Sequence, residues 1–277
     1  MSLSFPPFTR ALKVMLGINV GVFLLLLILR STGEVDAAHV IVRIFGLTPY
    51  DVVHGRVYQL VTYGFVHWEF FHLFFNMLML WMFGSMIERH FGSRQFWEFY
   101  LFGIVGAALT TVGLAYTVGS IIHLSPQMPP TIGASGGIYA ILIAAAMLYG
   151  DQEVFLFPFP FAMKLKYLVA VLGFIALAGA LSGGAGIANV AHLGGLLFGY
   201  LYLKLVPRRG LTFAFSEGYY GLRNYYHRLK RERTKKKFQV YMRKHEHDPK
   251  QYFDEYGNFR PPGERDKKDR GPGGWVN

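Results

Sequence analysis

Long apolar stretches and short polar breaks alternate along the 277 residues. Six stretches read as membrane spans: about 11–30, 67–87, 96–118, 133–149, 165–181 and 187–206. The fourth is short. A polar connection, 31–66, separates the first two and carries Glu34, Asp36, Arg43, Asp51 and Arg56. The link 119–132 holds Pro126, Pro129 and Pro130, the link 151–164 is rich in Phe and Pro, and 182–186 is a glycine-rich turn. The pattern predicts an all-α fold, a polytopic membrane protein built as a six-transmembrane-helix bundle.

Composition agrees. Hydrophobic residues make up 52% and charged residues only 16%, less charge than soluble domains carry. There is no cysteine, which excludes disulfides, thiol chemistry and Cys-ligated metals. The first apolar run is too long for a signal h-region and lacks a small-residue cleavage site, so no cleavable leader is expected.

Charge sets the expected orientation. If the spans alternate, Arg10, Lys13, Arg89, Arg94, Lys164, Lys166, Arg208 and Arg209 fall on one side. The links 119–132 and 182–186, on the other side, have no Lys or Arg. Both termini are therefore expected in the cytoplasm. This pattern, with no leader, favours a bacterial plasma membrane.

Two regions follow: a membrane domain over 1–209 and a basic cytoplasmic tail over 210–277. Within the tail, the aromatic stretch 213–226 is expected along the inner interface. The run 228–237 is expected to be drawn to anionic lipid, and the composition from about 260 onward predicts disorder. His245-Glu246-His247 lacks further ligands for a metal. No metal, cofactor or nucleic-acid partner is expected; membrane lipid is.

The candidate chemistry centres on Gly133-Ala134-Ser135-Gly136-Gly137, which opens the fourth span. Ser135 is the candidate nucleophile, and glycines at 133 and 136 leave room around it. Taken alone the motif is weak. No strand precedes it, as a hydrolase elbow requires, and Gly133 with Gly137 also forms a helix-packing pair. Topology adds what the motif lacks. The second, fourth and sixth spans all run inward, so His67, His72, Asn76, Ser135 and His192 share one depth, about 5–15 Å below the outer boundary. Five polar residues at one level predict a water-accessible site. His72 and Asn76 share a helix face, as do Ser135 and Tyr139. Ala188, Gly195 and Gly199 flank His192 and let the fourth and sixth spans approach until an imidazole reaches a serine hydroxyl. The Tyr139 ring either packs in the core or stacks on His192 and fixes it.

Together, Gly-Ala-Ser-Gly at 133–136 with Tyr139, Ala-His-Leu-Gly-Gly at 191–195, and His67, His72 and Asn76 at their spacing resemble the rhomboid intramembrane serine proteases. The likeness extends through Leu60-Val61-Thr62, Phe83-Gly84, Glu88-Arg89 and Phe91-Gly92-Ser93, and covers about 10–206. It implies a Ser135–His192 dyad without a third acid, and the sixth span holds no Asp or Glu. It implies an oxyanion held by His72, Asn76 and the Ser135 N–H, with His67 structural or water-organising. The implied substrates are transmembrane proteins, cut near the outer face at a small residue in a helix that unwinds easily. Tyr58-Gln59 stands where the family commonly has Trp-Arg in its first external loop, so the anchoring of that loop is an open question.

Other classes fit less well. Asp51 is expected outside and Asp151 inside, which excludes an aspartyl pair, and no H-E-x-x-H zinc motif occurs. A transporter predicts mid-membrane ionisable residues and internal repeats, and neither is present. The remaining alternative is a non-catalytic rhomboid-like protein that binds membrane clients. Such proteins typically lack the serine or the histidine, and this chain has both.

Overall fold

The computed structural model describes residues 6–119, 121, 124–155, 162–182, 186–207 and 210–244. Arg208, Arg209, residues 156–161 and the tail from 245, with His245-Glu246-His247 and the stretch beyond 260, lie outside the described residues. The chain divides into two compact units, Met1–Leu211 and Thr212–Asn277.

The first unit is helical. The apolar runs form α1 (Arg10–Ser31), α5 (Phe70–Phe91), α6 (Ser93–Thr117), α7 (Ser135–Tyr149), α8 (Leu165–Leu181) and α9 (Gly186–Leu205). By length and apolarity α1, α5 and α6 each suffice to cross a membrane, while α7 and α8 are shorter apolar helices. Their outward faces expose large apolar side chains such as Leu25 and Ile28 on α1 and Phe174 and Ile175 on α8. Such faces belong in lipid, and the protein is an integral membrane protein.

The connection 31–66, expected as a polar link, is itself structured. It holds α2 (Val35–Phe45), α3 (Pro49–Val53), α4 (Gln59–Thr62) and a 3₁₀ turn at Tyr63–Phe65. Gln59 explains its cohesion. The side chain is fully buried; its Oε1 accepts from the Thr48 N–H at 3.1 Å and its Nε2 donates to the Ile44 carbonyl at 3.0 Å. One amide thus closes the bend between α2 and α3. Its neighbour Tyr58 is half exposed and meets Phe45 edge-on at 6.3 Å. These contacts anchor the loop at Tyr58-Gln59, whose anchoring the sequence left open.

Glu88 joins three helices. It lies at the end of α5 and is 3% exposed. Its carboxylate accepts from the backbone N–H groups of Ala11 at 2.8 Å and Leu12 at 2.9 Å, which open α1 and have no partner within the helix. The hydroxyls of Thr9 and, at 2.6 Å, of Ser93 at the start of α6 also donate to it. A negative charge at a helix N-terminus is favoured by the helix dipole.

The core lies where α6, α7 and α9 meet, with Phe99, Tyr100, Ile104, Ile141 and Tyr202 almost fully buried. Beyond the end of α7 two antiparallel strands, β1 (Glu153–Phe155) and β2 (Ala162–Lys164), pair Val154 with Met163. There Lys166, hydrogen-bonded at 2.7 Å, and Lys164 hold the Asp151 carboxyl below its usual range. The second unit is described over α10, which begins at Leu211 and runs to Lys244. It is one 34-residue helix that takes in both the aromatic stretch and the basic run.

Glu88→Ala is expected to lower stability in detergent micelles by about 3 kcal/mol, because it orphans buried backbone donors. Glu88→Gln, which keeps an acceptor oxygen, is expected to cost less. Equal unfolding midpoints for wild type and Glu88→Ala would show that water serves those donors.

Candidate functional site

The site is built on the start of α7. This helix has 15 residues, or about 22 Å, against about 30 Å of hydrocarbon. The chain that leads into it, 124–134, is non-helical, so its backbone groups need partners from elsewhere in the protein. The connection 31–66 supplies them. Leu47 and Thr131 bond each other's backbones in both directions, and the Gly133 N–H donates to the Tyr63 carbonyl at 2.9 Å. The Ala134 N–H donates to His67 Nε2 at 3.3 Å.

His67 is therefore a backbone acceptor in the approach to α5. The sequence placed it at the start of the second span, but α5 begins only at Phe70. Its ring is fully buried and stands edge-on to His72, 5.0 Å between centroids.

Gly133 has φ +118°, a backbone state that favours glycine. A Cβ there would lie 2.7 Å from the His72 ring. The glycine is what allows His72 to sit against the start of α7. A Cβ at Gly136 would meet the Ala107 Cβ at 2.7 Å and the Tyr63 hydroxyl at 2.8 Å. Tyr63 in turn donates to the Ile104 carbonyl at 2.9 Å. No motif pointed to Tyr63; its role as a wedge beneath α7 is a matter of packing, legible only in three dimensions.

Ser135 is the first residue of α7, and its Oγ lies 2.8 Å from His192 Nε2 on α9. Tyr139, one turn further on, stacks flat on the His192 ring, with centroids 4.3 Å apart and 7° between planes. Core packing and ring-to-ring support of His192 are thus the same contact. The approach of the two helices is steric in origin. A Cβ at Gly195 would fall 2.2 Å from the Gly136 carbonyl oxygen, and one at Gly199 2.7 Å from the Ala140 Cα.

His72 and Asn76 face the same space from α5. Asn76 is nearly buried, and its Nδ2 donates to the His72 carbonyl at 2.8 Å. A cleft of about 460 Å³ brings His72, Asn76, Ser135, Tyr139 and His192 together, with Glu69 at its edge and apolar walls that include Leu142 and Leu172. The volume suits a small ligand or a few residues of peptide. Among the described residues no His, Cys, Asp and Glu cluster could hold a metal. The arrangement offers a hydroxyl, an imidazole in contact with it, a helix N-terminus and polar side chains around one opening.

Comparison with known proteins gives the lineage. The family model for the rhomboid domain matches residues 54–209, more than half of the chain.

The chain belongs to the rhomboid family.

The match spans every residue of this site. Rhomboid protein 1, mitochondrial, of Saccharomyces cerevisiae is 28% identical over 206 residues, covering 71% of this chain and 55% of its own length. Presenilin-associated rhomboid-like protein A, mitochondrial, of Danio rerio is 32% identical over 153 residues, 53% of this chain and 37% of its own. Rhomboid protease GlpG of Haemophilus influenzae is 29% identical over 154 residues, 55% and 71% respectively. This rhomboid thus spans about half or less of the lengths of the yeast and zebrafish relatives.

Gly195→Ala is expected to destabilise this rhomboid by about 1–3 kcal/mol through overpacking against α7, read as a shifted unfolding midpoint. Gly17→Ala on α1, where a Cβ would meet nothing within 4 Å, is the control and is expected to match wild type.

Proposed function

We propose that this rhomboid is an intramembrane serine endopeptidase that cuts transmembrane helices of other membrane proteins near the outer face. The observation that carries this reading is the 2.8 Å contact of Ser135 Oγ with His192 Nε2 on the wall of an open cleft. His192 acts neutral, with its proton on Nδ1. Its Nε2 takes the Ser135 proton as Oγ attacks a peptide carbonyl. The oxyanion meets the Ser135 N–H at the positive end of α7, together with the His72 and Asn76 side chains. His192 then gives its Nε2 proton to the leaving amine. Water, deprotonated at the same nitrogen, releases the acyl group from Ser135.

α9 carries no Asp or Glu to orient the imidazole. The stacked Tyr139 ring serves instead, holding the plane of His192. His67 supports the site indirectly, by fixing the Ala134 backbone.

In this reading α1, α5, α6, α7, α8 and α9 are the six spans of a membrane domain that reaches residue 209, followed by a cytoplasmic tail. Both termini lie in the cytoplasm and the membrane is a bacterial plasma membrane, on the distribution of Lys and Arg. The substrates are membrane proteins with a small residue at the cut. The presence of both Ser135 and His192, in contact, weighs against a non-catalytic client binder.

Ser135→Ala and His192→Ala, each reconstituted in bilayers with a labelled transmembrane substrate, are expected to reduce cleavage to background. Unchanged cleavage by either variant rejects the role given to that residue. Asn76→Ala is expected to lose activity by about 10²–10³ at most, the worth of one oxyanion donor. A fluorophosphonate probe is expected to label wild type and not Ser135→Ala. Tyr139→Phe, which keeps the ring, is expected to stay near wild type, whereas Tyr139→Ala falls.

A further inference from the structure

Glu69, Asn76 and Met79 fall with His72 on one face of α5 and its approach, at helical spacings of three and four, and all four line the cleft. Glu69 is the only residue charged at neutral pH among the cleft's lining residues. It is exposed, and among the described residues it makes no salt bridge. Its backbone carbonyl closes the first turn of α5 by accepting from the Leu73 N–H at 3.0 Å, so the position is fixed while the carboxylate stays unpaired. Three residues of helical rise put it about 4.5 Å outward of His72. An extended peptide advances about 3.3–3.6 Å per residue. A chain with its scissile carbonyl at Ser135 and His72 therefore carries a neighbouring side chain, one or two residues along, past Glu69.

We infer that Glu69 is a specificity-determining residue that selects substrates with a lysine or arginine one or two residues from the scissile bond. The inference rests on the peptidase reading above. The other polar groups of the cleft are an amide, a phenol, a hydroxyl and imidazoles, so one carboxylate sets the sign of the local field. Beside apolar walls it is less screened than a charge on a flat surface. An acidic substrate residue at the same place meets repulsion. Glu69 touches no reacting atom, so it acts on the choice of substrate rather than on the bond-breaking step.

The test uses the full chain in zwitterionic bilayers, which remove competing lipid charge. The probe is a tagged single-span helix with small residues and glycines in its outer turn, and Lys, Gln or Glu at each of the two positions on either side of the cut. For wild type, kcat/KM is expected to favour Lys over Glu by about tenfold at one or more of these positions. Glu69→Gln is expected to bring that ratio within about twofold of unity, and Glu69→Lys to invert it. Each ratio is taken within one enzyme, so any change a variant makes in the field at His72, one turn away, cancels from it. A Lys-to-Glu ratio unchanged across the three enzymes, with the Gln substrate cleaved, overturns the inference and leaves the peptidase reading standing. Cleavage of the Gln substrate no faster by wild type than by Ser135→Ala overturns both.

Discussion

The site depends on how closely α9 lies against α7. Two backbones pack with almost nothing between them at Gly195 and Gly199, and that separation is what brings a side chain of α9 within hydrogen-bond reach of a residue of α7. In lipid no hydrophobic effect drives helices together; close packing of small residues does. The same seam seats Tyr139 on the His192 ring. Ser135, Tyr139 and His192 are therefore positioned by residues that have no functional groups of their own.

A second constraint comes from length. α7 is only 15 residues long, and the backbone polar groups just ahead of it have no helix to satisfy them. Their partners are far away in sequence: Leu47 for Thr131 and Tyr63 for Gly133 from the connection 31–66, and His67 just after it for Ala134. This explains why the segment after α1 folds into several short helices instead of a loose link. It acts as the wall against which the chain ahead of α7 makes its hydrogen bonds. Glu88 does related work at the other end of α5, where it satisfies the first turn of α1.

The helices and their order could be read from the sequence because apolar runs of this length have few alternatives. His72, Asn76, Ser135 and His192 were grouped by the expectation that every second span runs the same way, and all four line one cleft. Face arguments at spacing four then grouped Ser135 with Tyr139. What stayed hidden was every contact whose partners are distant in the chain and carry no motif. The Glu88 cap spans 77 positions and the Tyr63 wedge 41. His67 was read as part of a span because its neighbours are apolar; the helix starts later, at Phe70, and the histidine serves a backbone instead. The amphipathic α2 was hidden by the charges of its solvent face, which made the whole connection look like a linker.

Gln59 has a consequence of its own. A guanidinium at this place would attract counter-ions and answer to the charge of nearby lipid headgroups. A carboxamide does neither: it carries no net charge and does not titrate in the physiological range. The bend it closes is held through hydrogen bonds to the Thr48 N–H and the Ile44 carbonyl. The amide's 3.5 Å contact to the Asp51 carboxylate, which pairs with Arg56, answers to acidity and ionic strength; the two backbone hydrogen bonds do not.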